Sequence, residues 1–235
     1  MGDDLAALAA EAYVYGFALV ADVREIIRFT REGLGQVPPA TFNTFSHARS
    51  LAGPDARFVS INNDTVYSMA QLDLGPGPVL LRVPDTAGRY YVLQFVDAWS
   101  DNFAYVGRRA SGTGAGSFLL VPPGWHGDKP PGVTEVIEFP TRVGSIVGRW
   151  ACDGPDDLPA VKILQDGLAL EPVSPAGAPE GVPSPAAVPD ELAFFEQVRT
   201  WMQAFPPSAD DRAYQQRFAP LGLLDPASPY DPVPS

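Results

Sequence analysis

The sequence predicts a mainly β fold that begins with one long helix and ends with shorter ones. Three observations carry this. The 235 residues include 26 prolines and 22 glycines, which break a chain into many short elements. Between residues 58 and 150, short runs alternate residue character at period two, most clearly over 89–99. Residues 3–31 and 190–204 instead repeat apolar residues at helical spacing.

In order, residues 3–31 predict a helix. Asp3 or Asp4 stands where a cap would accept its free N–H groups. Leu5, Leu8, Ala12, Tyr15, Leu19, Val23, Ile26 and Ile27 form a stripe suited to lie against a sheet. Gly16 interrupts it, as a bend or a close packing point, and Gly33 and Gly35 end it. Residues 36–57 read as a loop pinned by Phe42 and Phe45, and it carries His47, one of two histidines. The first strand is expected over 58–72. It carries Asn62-Asn63-Asp64, which strands disfavour, so the segment needs either a turn held by side chains or a site.

Further strands are expected at 79–83, 89–99, 103–107, 117–121, 133–139 and 143–150, with turns at Asp73–Pro78 and Pro84–Gly88. Over 89–99, Tyr91, Leu93, Phe95, Asp97 and Trp99 share one face. If that face is buried, the Asp97 carboxylate is desolvated and its pKa rises unless a donor or cation holds it. Gly112–Gly116 is expected to form a hairpin turn, because no Lys-Ser or Lys-Thr pair and no helix follow it. Pro159–Leu168 predicts a short helix. Residues 173–189 form a Pro/Ala-rich linker. A helix at 190–204 presents Phe194, Phe195, Val198, Trp201, Met202 and Phe205, an apolar face that must bury on the β body or a partner. Another helix is expected over Asp210–Phe218, and residues 225–235 are expected to be a disordered tail. The implied organisation is a domain at 1–172, the linker, and a helical appendage at 190–224.

Composition narrows the function. A net charge of −12 argues against nucleic-acid and anionic-membrane partners. One cysteine, Cys152, allows no internal disulfide and no multi-cysteine metal site. The start lacks a basic region, and charges at Glu11, Asp22 and Arg24 break the apolar run, so neither a signal peptide nor a membrane span is expected and the location is cytoplasmic. No Gly-x-Ser-x-Gly elbow and no His-x-x-x-His pair occur.

Several segments together resemble the DUF1254 family. They are Glu11-Ala12-Tyr13-Val14-Tyr15-Gly16, Asn43 with His47, Asn62-Asn63-Asp64-Thr65-Val66-Tyr67-Ser68, Leu72-Asp73-Leu74, Arg89-Tyr90-Tyr91-Val92-Leu93-Gln94, Asp97-Ala98-Trp99, Asn102-Phe103, Gly107, Gly112, Ala115-Gly116, Pro123-Gly124-Trp125, Gly148-Arg149 and Leu164-Gln165-Asp166-Gly167. The resemblance implies an immunoglobulin-like antiparallel β-sandwich, with the N- and C-terminal helices packed on it. It also implies a stand-alone member without the jelly-roll domain, DUF1214, that often follows. The family brings no agreed reaction. Ser60-Ile61 departs from the Gly-Pro that often precedes the Asn-Asn-Asp-Thr core.

Two functional classes stay open. The first is a cofactor-independent enzyme on a small organic molecule, of isomerase, cyclase, lyase or hydrolase type. Asp64, Asp97, Tyr67 and Tyr105 would move protons. Asn62, Asn63, Trp99, His47, Arg149 and Arg108 (or Arg109) would bind substrate, with no metal. The second is a non-catalytic module for a small molecule or a protein, including a homodimer through the aromatic helix 190–205. A shared pocket for Asp64 and Asp97 favours the first class.

Overall fold

The computed structural model describes residues 2–56, 62–173, 177–227 and 229–231. The elements are α1 (Gly2–Glu32), β1 (Ser46–His47), β2 (Thr65–Asp73), β3 (Val79–Val83), β4 (Tyr91–Asp97), β5 (Asn102–Gly107), β6 (Gly116–Val121), β7 (Glu135–Glu138), β8 (Val143–Ala151), α2 (Leu158–Asp166), β9 (Ala169–Pro172), α3 (Ala193–Ala204) and α4 (Ala209–Gln215). They form two compact units. One holds Ile26–Asp97 and Asp101–Gly181; the other holds Met1–Glu25, Ala98–Ser100 and Val182–Ser235. These units cut across the expected boundaries at 172 and 189.

The first unit is a sandwich-like pair of sheets. One sheet runs β1-β2-β8-β4-β5, antiparallel throughout; the other runs β7-β6-β3-β9. Leu72, Leu93, Phe95, Ile146 and Trp150 of the first meet Val79, Leu81, Phe118, Leu120 and Ile137 of the second in one core, which Val161 of α2 and Phe29 of α1 complete. The expected all-antiparallel arrangement fails at one place, where β6 and β7 pair in parallel. Residues 122–134 between them supply the dozen or so residues a parallel return requires.

Buried polar side chains tie this unit together. Asp73 is fully buried, and its carboxylate accepts from Arg142 Nη1 at 2.8 Å, Gly75 N at 2.9 Å and Gly181 N at 2.7 Å. Asn43, at φ 59°, donates to Asp73 O and accepts from Asp73 N, which pins the loop before β1 to the end of β2. Arg89 donates to both carboxylate oxygens of Asp157; those bonds, then one from Asp153 N, hold the Asp157 carboxyl down at about 2.

The first expected strand begins later than its pattern suggests. Residues 58–61 lie outside the described residues, the Ser60-Ile61 departure among them. Asn62–Asp64 bend, and β2 starts at Thr65. Asn62 Oδ1 accepts from Thr65 N at 3.1 Å and Thr65 Oγ1 at 2.6 Å, so a side chain takes the backbone donor that a longer strand would use.

The second unit is helical. Asp4 lies inside the first turn of α1 rather than before it, where its charge suits the positive helix end. By length and composition alone, α1 is the one helix among the described residues able to cross a membrane. Ala12, Leu19, Val20 and Val23 are buried in the protein, whereas Val14 and Phe17 are exposed. A Cβ on Gly16 would stand 2.5 Å from Val198 Cγ2, so this glycine permits the close approach of α1 and α3.

The expected interface face of α3 is mostly occupied: Val198, Trp201, Met202 and Phe205 are buried. Part of the expected linker is held as well. Trp201 Nε1 donates to Pro183 O at 2.9 Å, and Ala186 N donates to Glu196 at 3.0 Å. Within the expected tail, Tyr230 is buried and donates its N–H to Glu196 and its hydroxyl to Leu221 O. Residues 232–235 lie outside the described residues.

Candidate functional site

The register of β2 and β8 places Tyr67 opposite Arg149 and Met69 opposite Val147. All four project from the face of the five-stranded sheet opposite the one that meets the second sheet. The Arg149 guanidinium lies over the Tyr67 ring, 5.5 Å from its centroid. Its Nη1 donates to Gln94 Oε1 at 2.9 Å, and the Gln94 amide in turn donates to Asn102. Asn62 Nδ2 donates to the Tyr67 hydroxyl at 2.9 Å. That leaves the phenolic proton of Tyr67 free to be given to another acceptor.

Tyr67, Met69, Val147 and Arg149 form one wall of a pocket of about 210 Å³. Leu34, Val37 and their neighbours, joined in a small backbone bridge, and Ala48 to Ala52 form the rest. The lining is largely apolar and includes no carboxylate. Among the described residues, no Asp or Glu pairs with Arg149. A half-buried guanidinium with spare donors therefore borders an apolar cavity.

A second concavity of about 400 Å³ lies across the same sheet face, bordered by Tyr90, Gln94, Tyr105 and Arg109. The Arg109 guanidinium lies 5.4 Å from the Tyr90 ring centroid. Arg108 and Arg109 follow β5 in a turn, and Arg109, not Arg108, reaches this concavity.

The sequence-selected residues separate into groups. Tyr67 and Arg149 meet at the first pocket, Asn62 bonds the Tyr67 hydroxyl, and Tyr105 stands at the second. Asn63 and Asp64 are exposed on the bend before β2. Asp97 is buried, 4% exposed, on the core-facing row of β4, where it pairs with Gly144. Its Oδ1 accepts from Asp101 N at 3.0 Å, closing the turn into β5. Thr65, next to Asp64, pairs with Ala151, so seven residues of β8 separate the two acids. At about 3.3 Å per residue that is about 23 Å, too far apart for Asp64 and Asp97 to share a pocket. Trp99 belongs to the helical unit, where its Nε1 donates to Phe205 O at 2.9 Å and its ring packs on Tyr15.

His47 lies behind the pocket wall rather than in it. Its Nδ1 is 2.8 Å from Ser68 Oγ. Ser68 Oγ also accepts from Trp150 Nε1 at 2.9 Å and Gln165 Nε2 at 3.3 Å. In the neutral tautomer that carries its hydrogen on Nε2, the Ser68 proton goes to His47 Nδ1. Burial, reinforced by the charge of Arg49 and opposed by Asp166, lowers the His47 pKa to about 4. Ser68 is wholly buried, so this serine–histidine pair is no nucleophile for a substrate.

Gln94, Val147 and the 34–52 wall were not selected from the sequence, and Arg109 was named as the alternative to Arg108. Gln94 carried a signal, as a polar residue on the non-core face of an alternating strand. The wall carried none. Among the described residues, no group of three His, Cys, Asp or Glu is placed to hold a metal.

A family profile described as a protein of unknown function, DUF1254, matches residues 42–172, more than half of the chain. The chain belongs to the DUF1254 family. The DUF1254 match contains Tyr67, Arg149, His47 and Arg109, whereas Leu34 and Val37 precede it. The crystal structure of the VPA0106 protein from Vibrio parahaemolyticus is similar, with a TM-score of 0.77 and 23% identity over 96% of this chain and 53% of that one. At that identity the likeness is one of fold, and this chain spans about half the length of that relative. An uncharacterised protein from Burkholderia cenocepacia aligns at a TM-score of 0.31 and 15% identity, over 44% of this chain and 31% of that one. No curated protein matches the chain.

Proposed function

We propose that this DUF1254 chain binds a small, mainly apolar organic acid in the Tyr67–Arg149 pocket. One observation carries the reading: an arginine with no carboxylate partner among the described residues borders an apolar cavity and lies over a tyrosine whose proton is bonded to none of them. A guanidinium presents paired donors to a carboxylate, and the phenol adds a third. The apolar wall takes the hydrocarbon part. The net charge of −12 opposes an anion at long range, but screening over about 8 Å at physiological salt leaves the local guanidinium to decide.

The non-catalytic reading of the sequence is thereby favoured. An acid–base enzyme in this pocket would have to rely on Tyr67 and exposed Asp64, because Asp97 is committed to the β4–β5 turn. An immunoglobulin-like type for the sandwich is supported by two sheets sharing one core around Trp150, and the parallel β6–β7 pair is a departure from it. A homodimer through 190–205 would rest on Phe194 and Phe195, which are only half-buried. A cytoplasmic location fits a lone cysteine that needs no oxidising compartment.

The test is calorimetric titration with straight-chain carboxylates of two to twelve carbons, using the corresponding alcohols as controls. Saturable binding with an optimum at intermediate length, absent for the alcohols, supports the reading. Equal binding of acids and alcohols, or of neither, overturns it.

A further inference from the structure

Arg149 over Tyr67 is not the only stacked arginine–tyrosine pair on this sheet face. Arg109 over Tyr90 repeats the arrangement in the second concavity. Tyr67 is on β2, Arg149 is on β8, and Tyr90 immediately precedes β4, the strand on the far side of β8. Tyr90 sits one non-core position from Val92, the residue directly opposite Arg149. Adjacent strands are about 4.8 Å apart and residues about 3.3 Å along a strand, so the two ring positions, two strands apart and two residues out of register, are about 12 Å from each other. The long arginine side chains narrow that gap for a ligand.

Arg109 is exposed, and none of its N–H groups is bonded among the described residues. Gln94 joins the two concavities: it lines the second and accepts from Arg149, which lines the first. Gln94 is held from its other end by Asn102, so it fixes where Arg149 points.

We infer that the second concavity is a second anion subsite of the same binding face. The ligand class is then an amphiphilic dianion: a hydrocarbon part in the Tyr67–Met69 pocket, one anionic group at Arg149, and a second reaching Arg109 beside Tyr90 and Tyr105. This deepens the organic-acid reading above and rests on it. Gln94 is a positioning residue for Arg149.

Calorimetry on the full chain tests it with two probes, N-octanoyl-α-aminopimelate and its ω-amide, which differ only in the second charge. The dianion should bind about tenfold more tightly than the amide, and Arg109→Gln should bring that ratio to within about twofold of one. A ratio near one in the unaltered protein, with the amide still binding, overturns the second subsite and leaves the first pocket standing. A large ratio that survives Arg109→Gln also overturns it, because the second charge is then read elsewhere. Binding of neither probe overturns both readings.

Discussion

The Ser68 hydroxyl and His47 Nδ1 are hydrogen-bonded across 2.8 Å, and Trp150 Nε1 donates to the same oxygen. Protonating His47 would set an N–H against that hydroxyl. The folded-state pKa is lowered to about 4, against an ordinary value of 6.5. The unfolded chain therefore takes up a proton first as the pH drops. The stability involved is fully present above about 6.5 and is lost as pH falls towards 4. Between pH 7 and 4 the unaltered protein should lose on the order of 2–3 kcal/mol more, by urea unfolding, than His47→Gln, which keeps an acceptor for Ser68. An equal loss in both would remove His47 from the account, as would an NMR titration of its ring centred near 6.5.

Gln165 is fully buried, and its amide donates to Ala48 O, Tyr67 O and Ser68 Oγ. Gln165→Leu keeps the volume but strands the Ala48 carbonyl, while Tyr67 O keeps its bond from Ala48 N. It should cost about 2–4 kcal/mol in chemical unfolding, more than a surface change of the same type. A loss below about 0.5 kcal/mol would mean that water replaces the amide.

Gly16→Ala sets two effects against each other. Helix propensity alone favours alanine by about 1 kcal/mol. The added methyl would lie 2.5 Å from Val198 Cγ2, and overpacking of that kind costs about 1–3 kcal/mol. Destabilisation is expected, with recovery in the Gly16→Ala, Val198→Ala double variant. A higher melting temperature for Gly16→Ala alone would contradict the close packing.

Glu196 is wholly buried beside Arg199. Burial pushes its pKa up, but hydrogen bonds from Arg199, Ala186 N and Tyr230 N outweigh it and hold the carboxyl at about 2. Glu196→Ala leaves Arg199 buried and unpaired, at a cost of about 3–5 kcal/mol. It should also free the segment around Tyr230 for early proteolysis. Cleavage there no faster than in the unaltered protein would contradict the anchoring role.

The strands β3, β4, β6 and β8 were legible because apolar alternation and Pro/Gly turns bound them. β1 and β9 were not, since two and four residues carry no usable period. The parallel pairing of β7 is set by tertiary register, which no local pattern records. Asp97 is buried, the condition its sequence reading set, and the bond it accepts from Asp101 N depends on where β4 stops, which no local pattern records. Among the residues carrying the family resemblance, Asp73, Arg89 and Gln165 tie segments of the fold together, and His47 bonds Ser68. Tyr67 and Arg149 were selected separately and become neighbours only through the pairing of β2 with β8.

The central claim is that Arg149 receives the carboxylate of an organic acid. Titrating octanoate into the unaltered protein and into Arg149→Gln, with unfolding curves to show that both are folded, tests it most directly. The account predicts saturable binding weakened at least about tenfold by the substitution, the loss of one charge-assisted hydrogen-bonded contact. Octanoate binding of equal strength in both proteins would contradict it.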